Sequence, residues 1–494
     1  MNVIRLLFPA GWFYLLVSVI NHGVNLLALL SFSAKRFKQK TALIHHGIEI
    51  SYLKLYRDSL ALSHVLNGHY QITKGKKVAL IGRNSNEMAK SIFAVSGTGA
   101  DLYLLHADAG EKQLHQYIRE HAFDLVLYDS SVVNVNSGTS LELSVIEDLI
   151  VESDVNRENP HSAAGRIILL TGGTTGRPKK ITHQPSIINF LPPFFTMIKR
   201  LKILNYKTAY IPTPLYHGYG FAILLLFIAL GKKIVLGSRF DAQEACKLIR
   251  KYEVDFMPAV PLIIERLINE DAEALRSLCC IASGSSELKP HLAEEVLNRL
   301  GPVLYNLYGT SEAGLNLIAT PDDLKYSSKT IGRAIPGTSI KVVGENQDEV
   351  LAGESGQILI KNKWSMKSAD EWIKTGDIGY VDHNGYYFLY GRTDDMIVSG
   401  GINVYPQELT SMLEQHPSVL KSEVTGIADH EFGQRLAAWI ILKQDAVLTD
   451  QELMEWLRKR VARYQMPKGI MIVEEFPYTP IGKVDRAALK KILS

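Results

Sequence analysis

The sequence predicts an α/β protein: a large N-terminal domain of two doubly wound sheets plus a small β-barrel, then a small α+β C-terminal domain. Three observations carry this. At 494 residues the chain is too long for one core. Continuous apolar runs of strand length alternate with helix-patterned stretches through the first two thirds, as parallel sheets covered on both faces require. From about residue 330 glycines recur among short strand signals, which suggests a small antiparallel barrel, and past Gly391 a third, α+β texture follows. The expected boundaries are 1–40 for an apolar leader, 41–390 for the N-terminal domain (barrel part about 330–390) and 391–494 for the C-terminal domain.

The leader is anomalous. Residues 6–33 contain no Lys, Arg, Asp or Glu and include Phe8, Trp12, Phe13, Tyr14, Leu15 and Leu16, yet Pro9, Gly11 and Asn21-His22-Gly23 interrupt the run. A spanning helix would put Asn21 and His22 near mid-bilayer, at a cost. A secretory signal fits poorly, because the stretch is long and has a polar middle. Helices packed on the first domain remain open, as does an interfacial helix anchored by its aromatics and by Lys35, Arg36, Lys38 and Lys40. A true span also stays open, and in it those four cations would keep the bulk of the protein cytoplasmic; the expected location is the cytoplasm, peripheral at the inner face of a membrane in the interfacial case.

Beyond the leader, residues 41–50 read as a hairpin around His46-Gly47, and Ser51 caps a helix to about Leu66. Residues 78–81 and 125–128 read as strands, with a helix from Asn86 between them. A polar linker covers about 152–164. Residues 166–170 form a buried strand. The runs 209–212 and 233–236 flank an apolar helix over 221–230, Asp241 and Glu244 form a capping box, and residues 255–260 and 304–308 are further strands. In the barrel region 341–343, 357–360 and 386–389 carry the strand signal.

Composition excludes several classes. Hydrophobic content of 46% and charged content of 21% are those of a globular protein. Net charge is 54 − 51 = +3, too slight for a nucleic-acid partner. Cys246, Cys279 and Cys280 form no metal or redox spacing and suit a reducing cytosol.

Chemistry concentrates where ligands of such folds sit, beyond the carboxyl ends of strands. The strand 166–170 runs into Thr171-Gly172-Gly173-Thr174-Thr175-Gly176-Arg177-Pro178-Lys179-Lys180. Glycines let backbone N–H groups turn toward an anion, hydroxyls add donors, and Arg177 with Lys179 neutralises charge, as a triphosphate needs. The spacing is not that of Walker A. Tyr308-Gly309-Thr310-Ser311-Glu312 follows another strand, and its carboxylate suits Mg²⁺ held against a nucleotide. Gly284-Ser285-Ser286-Glu287 is a small-residue loop narrow enough for a flat base. Lys374-Thr375-Gly376-Asp377 sets a carboxylate after a turn, suited to two ribose hydroxyls. Arg392-Thr393-Asp394 lies at the inferred boundary, and Lys483 lies in Thr479-Pro480-Ile481-Gly482-Lys483 near the C-terminus. Singly, each is more simply a solvated turn or surface charge.

Together and in this order, these stretches resemble the adenylate-forming superfamily of acyl-CoA synthetases, luciferases and peptide-synthetase adenylation domains, over about residues 41–489. Pro214-Leu215-Tyr216-His217-Gly218, Leu304-Tyr305-Asn306-Leu307-Tyr308-Gly309, the phrase from Asp395 to Gly401, and Glu431-Phe432-Gly433-Gln434-Arg435 look most like bacterial fatty-acyl-CoA synthetases. The resemblance implies that Thr171 to Lys179, Thr174 among them, wraps the β- and γ-phosphates. Gly284 to Glu287 and Tyr308 flank adenine, with Gly309 and Thr310 beside them. Ser311 touches the α-phosphate, and Glu312 holds Mg²⁺. Asp377 and Arg392 hold ribose, and Asp394 is the hinge of a mobile lid. Lys483 bridges the acid and the α-phosphate, and Gly400 and Gly401 replace it when coenzyme A attacks. The implied reaction makes an acyl-adenylate from ATP and an acid, then a thioester. Departures from the pattern are Gly172-Gly173 where Ser-Gly is common, Lys180 for a closing Gly, and Ser311 for Thr.

Residues 208–230 contain no acidic side chain, so an amino acid's ammonium would be buried unpaired there. An apolar acid fits better, and Gly218, Gly220 and Gly309 lean toward a long or bulky one. His217 either walls this pocket and gates thiol entry or is a core histidine. Three alternatives stay open: a ligase that loads an acyl carrier protein, a serine hydrolase built on Gly309-Thr310-Ser311-Glu312-Ala313 with Ala in place of the last Gly, and a non-catalytic nucleotide-binding protein.

Overall fold

The structure is a computed structural model that describes residues 9–136, 138–151, 162, 163, 165–171, 179–183, 187–310, 312–344, 346–365, 371–399, 401–479 and 482–492. Two compact units divide it: Met1–Ser328 with Ile335–Gly337 and Lys363–Ala369, and Lys329–Ala334 with Thr338–Asn362 and Asp370–Ser494. The barrel strands therefore group with the C-terminal residues.

The first unit opens with two helices, α1 (Pro9–His22) and α2 (Leu26–Phe37). The Asn25 side chain caps α2 by accepting from Ala28 N at 2.9 Å. Gly23, at φ +79°, makes the turn between them; a Cβ there would lie 2.1 Å from Ser162 O, so the position admits only glycine. Helix α2 is core: Leu27 and Leu30 are fully buried, and Leu27 packs onto Gly97 of α4 (Asn86–Thr98), where a Cβ would come within 2.6 Å of it. Among the described residues no helix is long and apolar enough to cross a membrane.

Two sheets follow. In one, β1 (Thr41–His45), β9 (Thr208–Ile211), β10 (Lys233–Leu236), β11 (Phe256–Ala259), β12 (Cys280–Ser283) and β13 (Leu304–Thr310) run parallel, with β2 (Ile48–Ser51) antiparallel to β1 and β14 (Gly314–Ala319) antiparallel to β13, and the strands of this unit follow the order β14-β13-β12-β11-β9-β10-β1-β2. In the other, β3 (Lys77–Ile81), β4 (Asp101–Leu105), β5 (Leu125–Tyr128), β6 (Ser140–Glu142) and β7 (Ile167–Thr171) are parallel and β8 (Lys179–His183) antiparallel, in the order β6-β5-β3-β4-β7-β8. The expected caps form. Ser51 Oγ accepts from Lys54 N at the start of α3 (Tyr52–Gly68), and Asp241 Oδ1 accepts from Glu244 N, the forward half of the capping box. Between α3 and α4 the fully buried Lys90 ammonium pairs with Asp58, at 2.9 Å, and with Glu147. Burial lowers its pKa, and these carboxylates more than reverse the shift.

In the second unit, β15 (Thr330–Ala334), β16 (Ser339–Val343), β17 (Gly356–Lys361), β18 (Ile373–Val381) and β19 (Tyr387–Arg392) pair antiparallel in the order β16-β17-β18-β19-β15. A second sheet orders β20 (Ile397–Ser399), β21 (Ile402–Val404), β22 (Val419–Asp429) and β23 (Gly433–Leu442) as β21-β20-β23-β22, with β24 (Ile470–Ile472) parallel to β23. Trp439 is fully buried there, in one apolar cluster with Ala437, Phe476 and Leu489.

Candidate active site

Parallel strands end on one edge, so their following loops become neighbours. Register places Ser283 of β12 beside Asn306 of β13, and Ala259 of β11 beside Ser283. Gly284 follows at once, its N donating to Ala259 O at 3.1 Å, and a Cβ on it would lie 3.5 Å from Leu307 O and from the Tyr219 ring. The Gly284-to-Glu287 loop and Tyr308 thus adjoin each other. Ser285 holds φ +68°, strained for a side-chain-bearing residue and the kind of strain that collects at binding loops. Tyr308 is buried; Ser285 and Glu287 are exposed, and Glu287 pairs loosely with Lys289 at 3.5 Å.

Glu312 is exposed in the turn joining β13 to β14. Thr310 Oγ1 accepts from Ala313 N at 3.0 Å and braces that turn. Gly309 must lack a side chain, since a Cβ would fall 2.3 Å from Gly314 O. Trp364 packs against Gly314 and donates to Leu315 O at 3.1 Å. No group of three or more His, Cys, Asp or Glu is gathered for a metal among the described residues. A lone carboxylate still fits Mg²⁺, which is commonly bound by one or two carboxylates with phosphates and water filling its shell.

The segment after β9 ties the two sheets together. His217 is the N-cap of α5 (Gly218–Ala229), and its carbonyl accepts from Phe221 N at 3.0 Å. Its ring lies 4.6 Å from His106, which follows β4, and Tyr216 donates to the Asp108 carboxylate. Asn84, after β3, donates to Thr213 O at 3.1 Å and accepts from Leu215 N at 2.8 Å. Burial lowers the His106 pKa, with Asp108 opposing; burial and then Asp108 raise that of Tyr216. Motif reading missed Asn84, His106 and Asp108, which stand in plain turns. Their signal was position: the apolar run 78–81 ends just before Asn84, and residues 102–105, an apolar run that motif reading passed over, end just before His106.

A Cβ on Gly218 would lie 3.2 Å from Leu169 of β7, the strand that feeds the glycine-rich loop. That loop closes a β7–β8 hairpin whose register pairs Thr171 with Lys179. Gly172, Gly173, Thr174, Thr175 and Gly176 lie outside the described residues, as do Ser311 and Gly400. Most apolar side chains of α5 are core, Phe221, Ile223, Leu224, Leu226, Phe227 and Ile228 all being buried. What stays open is a stripe of Gly218, Tyr219, Ala222 and Leu225 at helical spacing. Its one hydroxyl, Tyr219 Oη, already donates to Ala282 O at 2.6 Å.

In the second unit Asp377 of β18 and Arg392 of β19 are register partners. Arg392 Nη1 donates to Asp377 Oδ1 at 2.8 Å, and Nη2 to Asp394 Oδ2 at 3.2 Å. Asp377 is buried, with its N–H donating to Thr375 Oγ1 at 3.0 Å. Gly376, at φ +77°, makes room: a Cβ there would meet the Arg392 guanidinium at 2.9 Å. Lys483 ends a turn in which its N–H donates to Thr479 Oγ1 at 3.1 Å and its carbonyl accepts from Thr479 N at 2.7 Å. The residue is exposed, yet its ammonium lies against enough protein to lose hydration. That loss and the Arg392 charge lower its pKa, with Asp377 partly opposing. Lys483 therefore shares one electrostatic neighbourhood with Asp377 and Arg392. Gly401, at φ +84°, is an exposed turn residue between β20 and β21, with no atom within 4 Å of a built Cβ.

Strand-end loops with a lone acid, and an acid–arginine pair with a lysine beside it, describe a protein that handles a nucleotide. The chain belongs to the AMP-binding enzymes, the adenylate-forming superfamily: the family model "AMP-binding enzyme" matches residues 30–368, and "AMP-binding enzyme C-terminal domain" matches 408–483. It is 26% identical to the 2-succinylbenzoate–CoA ligase of Bacillus licheniformis, over 91% of this chain and 96% of that one. It is equally 26% identical to a long-chain-fatty-acid–CoA ligase of Bacillus subtilis, over 94% of each. The o-succinylbenzoate CoA synthetase of Bacillus subtilis, solved with its acyl-adenylate intermediate, shares the fold at a TM-score of 0.80 and 24% identity, over 94% of this chain and 97% of that one.

Proposed function

We propose that the chain joins a hydrophobic carboxylic acid, long-chain or bulky, to coenzyme A in two steps through an acyl-adenylate, with AMP and pyrophosphate as by-products. The observation that carries the reading is the Asp377–Arg392 pair at 2.8 Å, a buried carboxylate held in place beside a turn, in a chain that both AMP-binding family models match. A carboxylate oxygen attacks the α-phosphate of ATP, the bond to the β-phosphate breaks, and pyrophosphate leaves. Two anions must approach, so Lys483 bridges the acid and the α-phosphate and offsets their repulsion. Asp377 accepts from ribose hydroxyls with Arg392 fixing its orientation, and the Gly284-to-Glu287 loop and Tyr308 flank adenine. The residues Thr171 to Lys179 hold the outer phosphates, and Ser311 touches the α-phosphate. Mg²⁺ at Glu312 supplies charge neutralisation on the phosphates. In the second step the thiol attacks the acyl carbon, its proton leaves to solvent, and AMP departs. Asp394 is the hinge for a change that withdraws Lys483, after which Gly400 and Gly401 offer bare backbone to the pantetheine arm.

The acid is apolar because the open stripe of α5 is apolar and its lone hydroxyl is engaged. Asp108 touches that segment, and its carboxylate accepts from Tyr216. An acid panel incubated with ATP and Mg²⁺, and with either coenzyme A or phosphopantetheinylated carrier protein, tests the reading by pyrophosphate release and product mass. Thioester on coenzyme A with long-chain or bulky apolar acids is expected. Thioester only on the carrier protein, or turnover confined to amino acids, would overturn it.

A further inference from the structure

Helix α1 is built inside out. Soluble helices turn their apolar stripe to the core and their polar face to water. Here Ser18 and His22 face the protein, at 0% and 6% exposure, while Trp12, Phe13, Leu16 and Ile20 stand 57–61% exposed. The inward polar face is already engaged with the protein. Lys35 Nζ donates to Ser18 Oγ at 3.3 Å, Ser18 Oγ donates to Ser31 Oγ at 3.3 Å, and His22 Nε2 hydrogen-bonds Tyr56 Oη at 3.0 Å. The helix cannot roll to bury its aromatics without breaking these bonds, so the apolar face is held outward.

Length and charge identify what covers it. The fourteen described residues at 1.5 Å each give roughly 21 Å, short of the ~30 Å of a bilayer core, so this helix suits a membrane surface better than a span. An aromatic cluster at one end suits the headgroup boundary. The first 48 residues contain no Asp or Glu and carry Arg5, Lys35, Arg36, Lys38 and Lys40. The last four end α2 or directly follow it, and the Lys35 contact with Ser18 brings that end of α2 against α1. Lys38 and Lys40 are exposed. A second copy of this chain would meet the same cations and be repelled; anionic lipid would meet them favourably. We propose that α1, with the cationic end of α2, docks the enzyme on the surface of an anionic lipid bilayer.

The test uses the full chain and co-sedimentation with phosphatidylglycerol–phosphatidylcholine vesicles against pure phosphatidylcholine vesicles. Binding is expected to be at least about tenfold tighter on the anionic vesicles and to weaken with salt. Replacing Trp12, Phe13, Leu16 and Ile20 together by Ser should abolish binding while ATP–pyrophosphate exchange and Tm stay unchanged. Lys38→Glu with Lys40→Glu, at two exposed positions, gives a second variant should the first not fold, and should weaken binding about tenfold or more. Equal binding to both vesicle types, or binding unaffected by either variant, would overturn the proposal. So would a lipid-free dimer in sedimentation velocity that the serine variant dissolves, since a second copy would then be the occupant.

Discussion

The strand-end loops of the first unit and the Asp377–Arg392–Lys483 cluster of the second are made of opposite materials. The loops are glycine, hydroxyl residues and backbone, with Glu312 the acid expected to carry chemistry and exposed in a bare turn. The cluster is charge upon charge, an arginine 2.8 Å from one carboxylate and 3.2 Å from a second, with a lysine feeling both members of the first pair. Backbone loops give shape, and they keep it when a side chain changes. A charge cluster gives field, and loses much of it with one substitution. Changes in the charge cluster should therefore strike the use of ATP and the rate, and changes along α5 in the first unit should strike selection of the acid.

The largest expected effect is Lys483→Ala, which should cut ATP–pyrophosphate exchange by about 10³-fold; a loss below about tenfold would put the bridging charge elsewhere. Asp377→Ala follows, with KM for ATP raised about 10- to 100-fold as a charged hydrogen bond is lost and Arg392 is left without that partner. Asp394→Pro should spare exchange and slow thioester formation by about tenfold or more, because proline freezes the φ that a hinge must change. Equal damage to both half-reactions would refute the hinge. Smallest is Ala222→Trp in the first unit, which should shift preference about tenfold toward shorter acids without altering KM for ATP.

The pH profile sharpens the same contrast. Lys483 must be protonated to bridge two anions, and its pKa lies below the usual lysine value. Exchange should therefore fall as pH rises through that lowered value, earlier than for an ordinary lysine. Arg392→Gln removes a like charge and should move the alkaline limb upward; a limb that stays or moves down would contradict this. Between the folded pKa and the unfolded 10.5, the unfolded chain binds more protons, so this group's effect on stability improves as pH rises.

Much of this was legible in sequence for a physical reason. Continuous apolar runs such as 78–81 and 304–308 need burial on both faces, and became parallel strands. Caps at Ser51 and Asp241 are local and formed where their spacing put them. The antiparallel strands β8 and β14 were not legible, since each follows a loop of glycines and hydroxyl residues at once and its short apolar run is broken by polar residues, as in Lys179-Lys180-Ile181-Thr182-His183 and Gly314-Leu315-Asn316. Asn84, His106 and Asp108 escaped because their grouping depends on neighbouring sheets, which no local spacing encodes. The segment 208–230 read as suited to an apolar acid, but the core claims most of its helix and leaves Ala222 and Leu225 with Gly218 and Tyr219. The leader's half-polar, half-apolar character was visible, and only the fold showed which half faces out.

The account turns on Lys483 serving one half-reaction and not the other. The direct measurement supplies chemically made acyl-adenylate and coenzyme A to Lys483→Ala and follows thioester by mass. Formation at close to the wild-type rate is predicted, alongside the lost pyrophosphate exchange. Loss of both activities together would contradict it.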